Sequence, residues 1–206
     1  MKRFAFTMLE LVFIIIVIGI LAVLAMPSFN RHPLQEAAEQ VARHIRYTQH
    51  LAMLDDKFDP SDENWSRENW QLEFKHIGAT IYYEIYSDND HKGNSDVNET
   101  ALDPLSHQLM DGSTNITDLT KNFAIKTVLF SLNCKPSPAI GEIDFDFIGR
   151  PYYYITGNTS GVGVPLASNI YQYKLNSDCV ITLVHETDGN ATITVHPETG
   201  YISVQY

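Results

Sequence analysis

Basic residues are scarce in this chain of 206 residues: Lys and Arg number 14 against 25 Asp and Glu, for a formal net charge of −11. An acidic surface repels phosphate, so the composition disfavours a broad nucleic-acid-binding groove. There are two cysteines and no Cys-x-x-Cys pair, which argues against a thiol redox motif or a zinc site. No nucleophile elbow, phosphate-binding glycine loop or HExxH motif is present, so we do not expect an enzyme.

Apolar residues are instead concentrated in one block near the start. No residue from Leu11 to Met26 is charged, and the whole apolar stretch is about 20 residues, or about 30 Å as a helix, which matches a bilayer core. Lys2 and Arg3 precede it, and positive residues stay on the cytoplasmic side. The pattern predicts a transmembrane segment over 6–26 that crosses the membrane once, with the N-terminus cytoplasmic and the remainder exported.

Two features separate this segment from a conventional secretory signal peptide. A carboxylate, Glu10, interrupts the apolar stretch, where a charge costs about 2.5–3.5 kcal/mol on insertion scales. In addition, no small-x-small cleavage site precedes Pro27, although signal peptides end in one. A plain membrane anchor would not explain Glu10 either.

The stretch from Lys2 to Leu11, KRFAFTMLEL, resembles the class III signal of type IV pilins and type II secretion pseudopilins. The resemblance implies cleavage between Ala5 and Phe6 by the prepilin peptidase and N-methylation of Phe6. Ala5 stands where the family usually has glycine. Glu10 matches the family's glutamate, and Pro27 matches its helix-kinking proline. The family implies that Glu10 pairs with the Phe6 amine of a neighbouring subunit; the alternative is that it reaches the lipid headgroups.

Beyond Pro27 the apolar residues recur at helical spacing, as in Leu34, Ala38, Val41 and Ile45. The sequence therefore predicts one long kinked helix from Phe6 to about Leu54. Four segments are expected: a leader (1–5), a transmembrane half-helix (6–26), an amphipathic half-helix (27–55) and a periplasmic β-rich head (56–206).

The head is rich in strand signals separated by turn residues. Strands are predicted over 70–77, 80–86, 123–132, 142–148, 152–156, 170–175, 180–185, 191–195 and 201–204. The predicted fold class is α+β, with the kinked helix packed on an antiparallel β-sandwich. The stretches Ile143–Pro151 and Ile193–Gly200 resemble the heads of the GspH/FimT group of minor pseudopilins. Cys134 and Cys179 are predicted to form a disulfide in an oxidising compartment, with two unpaired thiols as the alternative.

The residues of one acidic loop match the pattern of the twelve-residue calcium-binding loop of EF-hands. Ligand positions would be filled by Asp88, Asp90, Asn94, Asp96 and Glu99, with Gly93 at the turn. Lys92 occupies a position that usually supplies an oxygen, and the flanking residues indicate strand instead of helix. The loop is therefore predicted either to bind calcium or to be a solvated connection.

The resemblance implies a minor pilin or pseudopilin, a non-catalytic subunit of a filament or its tip in a type II secretion system or type IV pilus. It also implies a single-pass protein of the bacterial inner membrane with its head in the periplasm. The implied partners are other pilin or pseudopilin subunits, the prepilin peptidase, the inner-membrane assembly platform and membrane lipid. The alternative is a FimT-like DNA-binding minor pilin active in natural transformation. Loss of Lys2 and Arg3 would leave 12 basic against 25 acidic residues, so nucleic acid is a disfavoured partner.

Overall fold

The structure is a computed structural model that describes residues 7–25, 32–134, 141–153 and 168–206. The predicted processing residues Ala5 and Phe6, and the predicted kink at Pro27, lie outside the described residues. The chain divides into two compact units, Met1–His32 and Pro33–Tyr206.

The first unit contains helix α1, Met8–Ala25. Thr7 precedes it, and the Thr7 Oγ1 accepts a hydrogen bond from the Glu10 backbone N–H at 3.3 Å. Thr7 and Glu10 have the spacing of a capping box, and a carboxylate in the first turn also complements the helix dipole. Glu10 thus also contributes to the start of α1, through its backbone N–H and the position of its carboxylate in the first turn.

The predicted transmembrane segment is not found. Among the described residues no helix is both long and apolar enough to cross a membrane. Helix α1 has 18 residues, which is about 27 Å at the helical rise, against the bilayer core of about 30 Å. The single-pass inner-membrane localisation predicted from this segment is therefore corrected.

The predicted long kinked helix is also wrong, because the second helix begins anew at Pro33. Helix α2 runs from Pro33 to Leu54. A proline has no N–H and a fixed φ, which suits the first position of a helix. It also disfavours helical backbone in the residue before it, here His32. The apolar periodicity gave the helical face correctly but did not show that Pro33 starts a separate helix.

In the described part of the second unit, eight strands form two four-stranded antiparallel sheets. The first sheet has the order β2-β1-β4-β5 and the second β3-β6-β7-β8. The strands are β1 (Trp70–Ile77), β2 (Thr80–Ser87), β3 (Ile125–Phe130), β4 (Glu142–Phe145), β5 (Pro151–Tyr152), β6 (Cys179–His185), β7 (Asn190–Val195) and β8 (Ile202–Gln205).

Several predicted strands differ from the structure. The strand predicted over 142–148 ends at Phe145, and residues 154–156 of the strand predicted over 152–156 lie outside the described residues. The segment predicted as a strand over 170–175 begins with a short 3-10 helix, Ile170–Tyr173. The strand predicted over 123–132 is shortened because helix α3, Leu119–Phe123, occupies its start. Asp118 caps α3 by accepting a hydrogen bond from the Lys121 backbone N–H at 2.8 Å, as an N-cap aspartate does.

Helix α2 contacts strands of both sheets and completes one hydrophobic core. Its inner face consists of small and branched apolar residues that are fully buried: Ala37, Ala38, Val41, Ala42 and Ile45. The alanines let the helix approach the strands closely, and the sheets contribute side chains such as Leu72, Phe145 and Ile193. The apolar face predicted from the periodicity is therefore the buried face.

A disulfide joins Cys134, just after β3, to Cys179 at the start of β6, with the two Cα atoms 4.6 Å apart. This confirms the predicted disulfide. Both cysteines are buried in the core.

Two turns of the second unit are held together by α2. The Gln49 side-chain amide donates to the Gly149 carbonyl at 2.7 Å and to the Thr199 carbonyl at 2.9 Å. Gly200 lies in the same contact with φ of +62°, and a Cβ there would come within 2.8 Å of the Gly149 carbonyl oxygen. Only glycine fits both the backbone conformation and the close approach. These turns belong to the two stretches that carry the head resemblance.

Candidate metal centre

The acidic loop begins directly after β2 and returns to the same strand. The Ser87 backbone N–H donates to the Glu99 carbonyl at 3.1 Å, and Thr100 pairs with Tyr86 as an isolated bridge. Gly93 has φ of +74°, and its N–H donates to the Asp88 Oδ2 at 3.0 Å. Both ends of the loop are thus fixed on one strand, and its middle turns back towards Asp88.

Three of the five predicted ligands converge. One carboxylate oxygen each from Asp88, Asp90 and Glu99 lies within 4.8 Å of the others. Such a group of oxygens suits a hard divalent cation. Asn94 and Asp96 are exposed, and the Asn94 amide donates to the Asp96 Oδ1 at 3.2 Å.

Asp88 is the innermost member of the trio. Its side chain is fully buried, and among the described residues its Oδ1 has no hydrogen-bond partner. Its Oδ2 accepts from Gly93 and lies 3.9 Å from the Arg67 Nη2. Burial raises the pKa of Asp88, against the lowering effects of the Gly93 N–H and of Arg67. A buried carboxylate oxygen without a donor is costly, and a bound cation would satisfy it.

Glu99 links the two halves of the loop. Its Oε1 accepts the Asp90 N–H at 2.9 Å and its Oε2 accepts the Asp96 N–H at 3.4 Å. Burial raises the pKa of Glu99, and the charges of Asp90 and Asp88 raise it further against these two hydrogen bonds. The carboxylate is therefore held in place by backbone donors before any cation arrives.

Lys92 provides a cation within the loop itself. Its ammonium group contacts the Asp90 carboxylate and lies 3.9 Å from the Asp96 Oδ2. The hydrogen bond from Lys92 lowers the pKa of Asp90. The Lys92 side chain is 64% exposed, so it can swing into solvent when a divalent cation takes its place. The residues present therefore fit a hard cation, with Lys92 as a weak competitor.

A second group of possible ligands lies at the same loop, and sequence reasoning missed it. One ligand atom each from Asp62, Glu68 and His91 lies within 4.8 Å of the others. The His91 Nε2 is 3.0 Å from the Glu68 Oε1. A histidine nitrogen beside carboxylates suits transition metals better than calcium. No local spacing signals this group, because Asp62 and Glu68 precede β1 and His91 follows β2.

Comparisons with family models, with curated proteins and with solved structures find no match for this chain. The resemblance to pilins therefore depends on the N-terminal and head residues themselves.

Proposed function

We propose that the chain is a pilin-type or pseudopilin subunit that assembles with related subunits through α1. The observation that supports this is the exposure of the apolar side chains of α1: Met8 is 88%, Phe13 65% and Ile15 61% exposed. A continuous apolar surface of this kind marks an interaction site, because leaving it in water is unfavourable. The N-terminal motif is shared by subunits of type II secretion systems and of type IV pili, and the proposal covers both.

Glu10 separates the assembly role of α1 from its local folding. The observed cap joins the Thr7 Oγ1 to the backbone N–H of residue 10, so it does not depend on the side chain at this position. Pairing with the amine of a neighbouring subunit needs the negative charge. A Gln substitution therefore removes the pairing, keeps the cap and leaves the size and polarity of the side chain nearly unchanged, whereas a Val substitution removes the polar group as well.

Glu10→Gln is expected to fold and to keep the helix content of the wild-type chain but to fail to enter filaments. The physical reason is that an amine brought into an apolar subunit interface would lose its charged partner. The measurement is the fraction of chain recovered in sheared filaments from cells that carry each allele, with circular dichroism of the purified chain. Glu10→Val serves as the comparison. Normal incorporation of Glu10→Gln would contradict the pairing.

We further propose that the cation held by Asp88, Asp90 and Glu99 is calcium. Calcium takes six to eight oxygen ligands in flexible geometry, and water can complete its shell around three carboxylates. Magnesium demands strict octahedral geometry and resists dehydration, which a loop fixed at both ends does not favour. Lys92 competes for Asp90, so a weak site with a dissociation constant of about 0.1–1 mM is expected.

Calcium is expected to raise the melting temperature of the chelator-treated full chain. At 1 mM calcium and a dissociation constant of about 0.1 mM, the gain is about 1.4 kcal/mol, or about 3–6 °C for a chain of this size. Equal magnesium should give a smaller rise. Scanning calorimetry measures both.

Matched variants test the ligand set. Glu99→Gln should abolish the calcium shift, because it removes the carboxylate that closes the site. Asp96→Asn, in the same loop but outside the trio, should keep it. Lys92→Met should enlarge it by removing the competing ammonium. An unchanged melting temperature of the wild-type chain with calcium would make the loop an ordinary solvated connection, and loss of the shift in Asp96→Asn would favour the wider set predicted from the sequence.

A further inference from the structure

Strand register brings an aspartate, a histidine and a serine together on the outer face of the second sheet. Cys179 pairs with Val195, so the preceding Asp178 lies beside His196, the residue that follows β7. Strand β8 places Ser203 opposite Thr194, two residues from His196 along the ladder. Alternate residues of these strands are buried in the core, so Asp178, His196 and Ser203 belong to the face turned to solvent.

The three side chains form a continuous hydrogen-bonded chain. The His196 Nδ1 lies 2.9 Å from the Asp178 Oδ1, and the His196 Nε2 lies 3.1 Å from the Ser203 Oγ. An ionised aspartate can only accept, so the proton of a neutral His196 sits on Nδ1. The Nε2 is then free to accept the Ser203 hydroxyl proton. The Tyr201 ring stacks on the imidazole, with centroids 5.5 Å apart, and helps to fix its plane.

We propose that Ser203 is a nucleophile for acyl transfer, with His196 as its general base and Asp178 as the positioning residue. A nucleophile within hydrogen-bond reach of a base that is itself oriented by a third group is the arrangement such chemistry requires. The side chains of His196 and Asp178 are 34% and 52% exposed, so the site is open. It would therefore take small activated esters with little selectivity.

The reaction balances with water as the only co-reactant. The Ser203 Oγ attacks the ester carbonyl carbon while its proton moves to the His196 Nε2, and the carbonyl oxygen becomes an oxyanion. Collapse of this intermediate breaks the bond to the alcohol oxygen, which leaves with the proton from Nε2, and acyl-Ser203 remains. Water then attacks the acyl carbon with the same proton relay. One ester and one water give one carboxylic acid and one alcohol, and Ser203 is regenerated.

Strand β8 also supplies a hydrogen-bond donor for the oxyanion, the backbone N–H of Val204. The His196 N–H donates to the Tyr201 carbonyl at 2.9 Å. Since hydrogen-bonded pairs alternate in an antiparallel ladder, Thr194 and Ser203 form the next such pair, and the Val204 N–H points away from β7. Strand β8 is at the edge of its sheet, where backbone donors face outward. The backbone N–H after the nucleophile serves the same purpose in other acyl-transfer sites.

The test is covalent labelling of the full chain with a fluorophosphonate, read by peptide mass spectrometry. The Ser203 Oγ attacks phosphorus, fluoride leaves and His196 takes the proton. We expect Ser203 to react about 10²-fold faster than other exposed serines, which is the contribution of one general base. Ser203→Ala should abolish this adduct, and His196→Gln should slow it about 10²-fold. Thr194→Ala, which removes the hydroxyl opposite Ser203, should leave it unchanged. Labelling of Ser203 no faster than other exposed serines would overturn the proposal.

The role of Asp178 needs a readout beyond the rate. Asp178→Asn should slow Ser203 labelling and alter the ¹⁵N chemical shifts of the His196 ring, because the Nδ1 tautomer loses its acceptor. Asp178→Glu should restore part of the rate. Melting temperatures of all variants verify that they fold. A wild-type His196 protonated on Nε2, or Asp178→Asn labelling at the wild-type rate, would contradict the assigned roles.

Discussion

Asp146→Ala is expected to lower the free energy of unfolding by about 3–5 kcal/mol, the usual cost of removing one partner from a buried charged pair. The Asp146 side chain is buried. Its Oδ1 accepts the backbone N–H groups of Ile148 and Arg150 at 3.1 and 2.9 Å. Its Oδ2 accepts the Arg150 Nε at 2.7 Å and the Tyr152 hydroxyl at 3.1 Å. The substitution leaves all these donors without their acceptor and Arg150, which is only 26% exposed, without its partner.

Urea denaturation of the full chain, followed by tryptophan fluorescence, measures the effect. Asp59→Ala is the matched control, because Asp59 also accepts backbone and hydroxyl donors in a local turn, from Ser61 at 2.8 and 2.6 Å, but is exposed. Water replaces a lost acceptor on the surface, so its denaturation midpoint should change little. Equal shifts in the two variants would show that the Asp146 contacts contribute no more than a surface turn.

The elements that the sequence predicts well are those with a regular pattern of apolar residues along the chain. Strand β1 was predicted at its observed residues, and the buried face of α2 follows from spacing alone. Both signals come from burial that repeats with the period of the element. Helix ends have a weaker signal in the sequence: the pattern predicts a kink at Pro27 within one helix, whereas the structure begins a second helix at Pro33. A proline can either kink a helix or occupy its first position, and the sequence alone does not distinguish the two.

The alternation of polar and apolar residues along a strand does not predict whether the polar face of the strand is buried. In β4 the polar residues Glu142 and Asp144 alternate with the apolar residues Ile143 and Phe145, yet all four are buried. The same occurs where Glu73 and Glu84 face each other across β1 and β2. A period of two shows which residues share a face, but only the register and the surrounding chain decide what covers it.

The Glu73 and Glu84 pair illustrates what register adds. Lys75 bridges the two carboxylates, with its Nζ 2.6 Å from the Glu84 Oε2 and 3.2 Å from the Glu73 Oε2. Tyr86 donates to the Glu73 Oε2 at 2.8 Å. Burial raises the pKa of Glu73, against the lowering effect of Lys75. Hydrogen bonds and ion pairs that join two strands cannot be predicted from the spacing of residues along either strand.

The candidate sites also show that residues close together in the sequence are easier to predict as a site than residues that strand pairing brings together. Asp88, Asp90 and Glu99 are predictable because they lie in one short loop; Asn94 and Asp96, which the EF-hand spacing also includes, are exposed. In this chain the loop follows strand β2, and Thr100 at its end pairs back with Tyr86 of the same strand. The second half of the loop therefore turns differently from that of an EF-hand loop, which lies between two helices. Asp178, His196 and Ser203 have no signal in the sequence, because these residues come together only through the pairing of β6, β7 and β8.

Loss of the disulfide should be as severe as loss of Asp146. Cys134 and Cys179 are 45 residues apart, and a cross-link of this length stabilises by about 4 kcal/mol in the chain-entropy model. Cys134→Ala with Cys179→Ala is therefore expected to lower the unfolding free energy by about that amount. Alanine is preferred to serine, because a hydroxyl at these buried positions would add its own cost.

The single variants give this prediction its sharpest test. Either substitution alone breaks the same bond, so each single variant should lose nearly as much as the double variant, and the three values should be strongly non-additive. The adjoining strands stay joined without the bond, since the Ser131 N–H donates to the Val180 carbonyl at 2.9 Å and the Val180 N–H to the Ser131 Oγ at 3.0 Å. The loss should therefore appear as easier unfolding of a native-like fold. Additive losses in urea denaturation, or a wild-type chain whose midpoint is unchanged by a reductant, would show that the bond does not stabilise the protein.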